Sequence, residues 1–349
     1  MKAAVLTGVR QPLEIQDIPD ATCGPKGAIL KVEANGICRS DWHCWDGTWD
    51  MPLPWVMGHE FCGVVETVGA EVRNFQKGDR VIAPFIGGRG TCDHCREGLP
   101  HMCVDPVKPG FGYWGGMAQY VEVQVADFNL VAMPDGVAFA TAAALGCRYM
   151  TSWGGMTDRV RVQPGEVVVV AGAGGIGLSA IQIAAAFGAE VIAVDIREDA
   201  LDLAKTVGAA HTINSQNISG TLAEAVKDTV GRAANVSVDA LGIAQTCGPV
   251  IEALGVRGRH AQIGMTNAAA AGYLNLPVDH IIANEISVSG VKGMPTPNFP
   301  ALLSMVEQGK VRPDQLVTKQ VRLDEVTQEF EDMSNFATLG FSVITDFGV

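Results

Sequence analysis

Cys38, His59 and Glu60 bring a thiol, an imidazole and a carboxylate into one short stretch, Gly36-Ile37-Cys38-Arg39-Ser40-Asp41-Trp42-His43 followed by Gly58-His59-Glu60-Phe61. These ligand types suit zinc. Neither half is a Cys-x-x-Cys or His-x-x-x-His clip, so a further ligand must arrive from elsewhere. A closed structural zinc takes four protein ligands, whereas a catalytic one keeps a position open for water or substrate. Two ligands from one segment and one from far along the chain fit the open kind. A buried Cys beside a hydrogen-bonded His in an apolar pocket is the plainer alternative. The distant candidate is Cys147, in Leu145-Gly146-Cys147-Arg148-Tyr149-Met150-Thr151; its plainer reading is a buried Cys at a helix start. Trp42, Trp45, Trp49 and Trp55 crowd the interval between the two halves. Core packing accounts for at least half of them, while Trp42 and Trp49, nearest His43 and the ligand candidates, are expected to wall a substrate pocket.

The elements that must position these groups follow two patterns. Residues 1 to about 140 are strand-rich: Ala28–Val32, Gly63–Val68 and Arg80–Ala83 alternate with Gly24-Pro25, Lys77-Gly78-Asp79 and Pro134-Asp135-Gly136. Such spacing predicts a β-barrel-like fold carrying loops. From about Gln163, strands and helices alternate. Val167–Val170 reads as a strand, Gly172-Ala173-Gly174-Gly175-Ile176-Gly177 as the turn after it, and a helix runs on through Phe187. Val191–Val194 is the next strand, closed by Asp195.

A lone Gly-x-Gly-x-x-Gly says little. Here it follows a strand, opens a helix and precedes an acid eighteen residues beyond Gly177, which is the context of a dinucleotide site. The glycines let the backbone approach a pyrophosphate at a positive helix N-terminus. Asp195 would accept from the adenosine ribose hydroxyls and repel a 2′-phosphate, favouring NAD over NADP; Arg197 is the opposing signal. Further on, Glu198–Val207, Leu222–Val230 and Cys247–Leu254 read as helices, and His211–Ile213, Val236–Asp239, His260–Ile263 and Ser287–Val291 as strands, completing a six-stranded sheet. Phe299–Gln308 reads as a helix, and Val317–Val321 and Phe341–Ile344 as strands returning to the first domain.

At 349 residues the chain has room for two domains, since single cores stop growing near ~250–300 residues. A net charge of -13 argues against nucleic acid or an anionic membrane as partner. Nine Cys and no secretory leader in Met1-Lys2-Ala3-Ala4-Val5 point to a reducing, cytoplasmic setting. Val167 to Val194 is apolar over a length that could cross a bilayer, but Gly172, Gly174, Gly175, Gly177 and Gly188 divide it. A buried parallel sheet is expected there instead.

Gly36-Ile37-Cys38-Arg39-Ser40-Asp41, Gly58-His59-Glu60, Gly78-Asp79-Arg80-Val81, Leu145-Gly146-Cys147, the Gly172–Gly177 fingerprint and the closing Gly340-Phe341-Ser342-Val343-Ile344, in this order, resemble the zinc-dependent alcohol dehydrogenases of the medium-chain dehydrogenase/reductase superfamily. The resemblance covers essentially the whole chain. It implies a GroES-like catalytic domain over 1–147, a Rossmann domain with a doubly wound parallel sheet over 148–290, and a return segment of the catalytic domain over 291–349. It also implies that Cys38, His59 and Cys147 hold a catalytic zinc, with Glu60 able to exchange with the water at the open position. Asp41 then orients the ring of His59, Ser40 and His43 form a proton relay, Arg39 meets the pyrophosphate, Thr151 lies beside the nicotinamide and Phe85 lines the pocket. The implied chemistry is reversible: zinc acidifies a bound alcohol, the proton leaves through Ser40 towards His43, and hydride passes to the nicotinamide.

One departure stands out. The family's structural zinc lobe uses four Cys, and here Arg89 occupies the place of the first, before Cys92, Cys95 and Cys103. Arg cannot ligate zinc. Either the second zinc is absent or weak, or Asp93, His94 or His101 supplies the fourth ligand; one tightly bound zinc per chain is expected. Two rivals to the alcohol dehydrogenase reading are a zinc-free quinone or enoyl reductase of the same superfamily and a non-catalytic NAD-binding protein. Trp42, Trp49, Phe85 and Trp114, with Tyr113, suggest an alcohol with an apolar or aromatic body. Chain length resembles that of the shorter family members, which implies a homotetramer, with a dimer as the alternative.

Overall fold

The computed structural model describes residues 1–266 and 270–348. They divide into two compact units: Met1–Cys147 with Pro295–Gly309 and Val317–Val349, and Arg148–Met294 with Lys310–Leu316. The return to the first unit is therefore interrupted, because 291–294 and 310–316 belong to the second unit, against the single return segment expected over 291–349.

In the first unit, a sheet runs in the order Val317–Arg322, Phe341–Asp346, Ala28–Gly36, Glu60–Val68, Arg80–Ile82, Val131–Ala132, with Tyr120–Val123 also paired to Ala28–Gly36. The long central pair is antiparallel, and Gly36 stands opposite Glu60 at its end. That register sets a ligand candidate beside the exit to the helix Arg39–Trp45. Gly63 faces Val32; a Cβ there would lie 2.0 Å from the carbonyl oxygen of Lys31, so only glycine allows the strands this close. A smaller sheet, Glu14–Asp17, Lys2–Leu6 and Trp55–Val56, shares a core with Ile37, Trp45 and Met57.

In the second unit six strands are all parallel, in the order His211–Asn214, Glu190–Asp195, Val167–Ala171, Ala234–Asp239, Leu254–Gln262, Ser287–Gly290. The order reverses at Val167–Ala171, which places the carboxyl end of that strand at the switch point where such sheets bind ligands. All five of its residues are buried, as a strand covered on both faces requires. The expected fold class, a β-rich domain joined to a doubly wound parallel sheet, is observed. Among the described residues no helix is long and apolar enough to cross a membrane, and 167–194 is strand, turn, helix and strand.

Three elements differ from the sequence reading. The helix expected over Cys247–Leu254 is Ala244–Glu252, and Leu254 already opens a strand that reaches Gln262. Gly255, Gly258 and the left-handed Arg257 (φ 57°) disguise that strand's first half. Helical structure over Phe139–Arg159 carries no polar face that would mark it. The helix Val326–Ser334 buries Val326, Glu329, Phe330 and Met333, at the i, i+3, i+4, i+7 spacing of one face.

Candidate active site

The ligand atoms of Cys38, His59, Glu60 and Cys147 all lie within 4.8 Å of one another. Each arrives by a different local device. Cys38 caps the helix Arg39–Trp45, whose third residue, Asp41, reaches back so that its Oδ2 accepts from the Cys38 N–H at 3.1 Å. Asp41 Oδ1 accepts from the Gly58 N–H at 3.1 Å and stands 2.9 Å from His59 Nδ1. One buried carboxylate thus holds both halves of the motif. Gly58 adopts φ 99°, and a Cβ would fall 2.5 Å from the Met117 nitrogen, so the turn into His59 needs glycine. Glu60 is enclosed from two sides: a Cβ on Gly36 would lie 2.4 Å from its Oε2, and one on Gly146 would lie 2.4 Å from its Cβ. Gly146 also breaks the surrounding helical run (ψ -148°), and Cys147 follows at that kink.

A metal fits this set. His59 is fully buried with Nδ1 engaged by Asp41, and its Nε2 has no hydrogen-bond partner among the described residues. A buried polar atom in that state wants a ligand. Burial disfavours the charged ring, yet the charge and hydrogen bond of Asp41, with Cys38 beside it, hold the His59 pKa well above the ordinary imidazole value. A cation accepted at Nε2 would take the place of that proton. Two sulfurs, one imidazole and one carboxylate match zinc better than a hard cation.

Ser40 Oγ lies 3.8 Å from Cys38 Sγ. His43 is packed between Trp42 and Trp49, ring centroids 5.1 and 5.2 Å away. Burial lowers its pKa, against the pull of Asp46, and its buried Nδ1 has no hydrogen-bond partner among the described residues. No hydrogen bond joins Ser40 directly to His43 among the described residues. Of the expected pocket aromatics, Phe85 sits edge-on to His59 at 6.0 Å, and Trp49 meets Phe111 at 5.9 Å. Trp114 is instead over a third exposed, and it stacks on none of these rings among the described residues. Phe111 was not singled out from the sequence, though its ring lies 4.7 Å from His59; the only signal was its place in the aromatic, glycine-rich run Gly110–Gly116. Trp42 also takes Arg39 onto its face at 4.6 Å, and the guanidinium donates to the Met333 carbonyl at 3.0 Å.

In the second unit, Gly172 turns at φ 93° after Val167–Ala171, and Gly174 caps the helix Gly175–Ala186. A Cβ on Gly177 would lie 1.7 Å from the Gly172 carbonyl oxygen, so the helix start packs on the turn only with glycine there. Ile176 lends its carbonyl to Ser152 Oγ at 2.9 Å, next to buried Thr151. Asp195 accepts from the Ala173 N–H at 2.6 Å and the Arg197 N–H at 3.0 Å, tying the glycine turn to the next helix.

The sulfurs of Cys92, Cys95 and Cys103 cluster, with Cys92 at 3.5 Å from Cys95 and 3.7 Å from Cys103. Among the described residues no Asp, Glu or His ligand atom lies within 4.8 Å of all three sulfurs. Arg89 pairs with Asp105 and donates to Gln124 at 3.3 Å.

Comparison with known proteins agrees with this architecture. Residues 24–135 match the alcohol dehydrogenase GroES-like domain, and residues 175–308 match the zinc-binding dehydrogenase domain. The chain is 32% identical to an NAD-dependent alcohol dehydrogenase of Sulfurisphaera tokodaii and 31% identical to one of Saccharolobus solfataricus, over 99% of both chains in each case. Among solved structures, alcohol dehydrogenase TADH from Thermus sp. ATN1 matches with a TM-score of 0.91 at 26% identity, covering 99% of this chain and 100% of that one. Benzyl alcohol dehydrogenase from Acinetobacter calcoaceticus matches at 0.89 and 28%, covering 99% of each. The chain therefore belongs to the alcohol dehydrogenases of the medium-chain dehydrogenase/reductase superfamily, and it is an oxidoreductase.

Proposed function

We propose that this enzyme reversibly oxidises a primary or secondary alcohol to an aldehyde or ketone, with NAD as the hydride acceptor and one catalytic zinc per chain. The observation that carries the reading is the four-residue ligand cluster braced by Asp41. Cys38, His59 and Cys147 would hold the zinc, with Glu60 as the exchangeable fourth ligand. When bound, zinc supplies Lewis-acid polarisation of the substrate oxygen and NAD takes the hydride. The residues of the chain do the rest. Asp41 fixes the ring of His59 so that Nε2 faces the cluster. Phe85, Phe111 and Trp49 exclude water and favour an apolar or aromatic alcohol body; the likeness to a benzyl alcohol dehydrogenase supports that class. Ser40 receives the alcohol proton, and His43, lowered by burial, passes it to solvent; since no hydrogen bond joins the two directly among the described residues, a mobile hydroxyl or water bridges them. Arg39 would meet the pyrophosphate, the Gly172–Gly177 turn would cradle it, and Asp195 would hold the ribose. The nine cysteines, none of them in a disulfide among the described residues, support a cytoplasmic setting, and resemblance to the shorter family members supports a homotetramer, to be checked by mass photometry.

A panel of benzylic, aliphatic and polyol substrates with NAD and NADP tests this. Preference for benzylic or aliphatic alcohols with NAD is expected. Preference for polyols sinks the substrate class, and full turnover by Cys38→Ala sinks the zinc role in favour of a zinc-free reductase.

A further inference from the structure

Arg197 and Asp199 face each other just beyond Asp195. The guanidinium forms two parallel bonds to the carboxylate, Nε to Oδ1 at 3.0 Å and Nη2 to Oδ2 at 2.5 Å. Asp199 Oδ1 also accepts from the Ala200 N–H at 2.8 Å, so the acid is fixed by the first turn of the helix Glu198–Thr206 and fixes the guanidinium in turn. The backbone N–H of Arg197 donates to Asp195 at 3.0 Å. The arginine is thereby tied to the acid assigned to the ribose. A guanidinium at that place is the chemistry that accommodates a 2′-phosphate, because its fork matches phosphate as well as carboxylate. Here a carboxylate of the same chain already fills the fork.

We propose that Asp199 is a cofactor-specificity determinant. By pairing with Arg197 through two donors, it withholds the guanidinium that would otherwise greet a 2′-phosphate. The preference for NAD is then set twice, once by the ribose acid and once by the clamp on its neighbour. This rests on the assignment of NAD as cofactor and of Asp195 to its ribose.

The test is calorimetric titration of NADH and NADPH into the wild-type protein, Asp199→Asn, and the double variant Asp199→Asn/Arg197→Ala, with thermal melting to establish folding. Asn keeps an oxygen for the Ala200 N–H and removes the charge; Asp199→Ser, also uncharged and able to cap, gives an independent reading. In both single variants the NADPH-to-NADH affinity ratio should rise about tenfold, the scale of one charge-assisted hydrogen bond. The double variant should lose the gain. An unchanged ratio in Asp199→Asn and Asp199→Ser overturns the proposal while leaving a wild-type NAD preference intact, and a gain that survives Arg197→Ala overturns the clamp. Wild-type protein binding NADPH more tightly than NADH would contradict the NAD assignment itself, and the proposal with it.

Discussion

Asp41 Oδ1 stands 2.9 Å from His59 Nδ1, with both side chains all but excluded from solvent. The same carboxylate accepts from the backbone N–H groups of Cys38 and Gly58. Asp41→Asn keeps the size but weakens the brace. Metal affinity should fall by about 10–100-fold, the usual cost of losing an outer carboxylate on a ligating His. Competition with a chromophoric chelator measures it, and unchanged affinity would show that the backbone alone orients His59.

Gly177 is the tightest point of the nucleotide turn. Its replacement by Ala sets a methyl 1.7 Å from the Gly172 carbonyl oxygen, and the helix must move away from the strand. A loss of about 1–3 kcal/mol in unfolding free energy is expected, together with loss of NADH binding by calorimetry. A variant that melts and binds like the parent would mean that the turn tolerates the shift.

Much of this turn was legible in the sequence because glycine spacing and a following acid are local signals. Cys38, His59 and Glu60 were legible for the same reason, lying within one short stretch of the chain. Other parts depend on approaches that only tertiary structure creates. Gly146 matters because the Glu60 side chain lies against it, Phe111 because its loop folds onto His59. Trp114, three residues further along that loop, is turned to solvent. The strand from Leu254 was hidden by two glycines and a left-handed arginine, which read as a turn.

His260 predicts a pH dependence of stability. Its ring is buried, with Nδ1 2.8 Å from Ser237 Oγ and Nε2 3.1 Å from Gln262 Oε1. Burial lowers its pKa, and Gln262 and Asp239 offset this only in part. As pH falls through about 6.5, the unfolded chain takes the proton before the folded one, so stability declines on acidification until the folded ring titrates too. Urea unfolding at about pH 7 and 5 should show a shallower decline for His260→Asn than for the parent, with His43, lowered for the same reason, sustaining part of the slope. Equal declines would contradict this.

Beside the three thiols of the lobe, Arg89 occupies the place of a fourth Cys. Arg89→Cys supplies it, so a second zinc per chain and a higher melting temperature are expected. Elemental analysis decides the matter: a wild-type protein already holding two zinc ions, or a variant still holding one, would overturn this view of the lobe.

Zinc titration into chelator-stripped protein, followed by NAD reduction with benzyl alcohol, tests the central claim most directly. The account predicts that activity is absent in the stripped protein and rises linearly to a plateau at one zinc per chain. The titration also predicts that Cys147→Ser neither binds that zinc tightly nor recovers activity. Full activity in metal-free protein, or in Cys147→Ser without zinc, would contradict it.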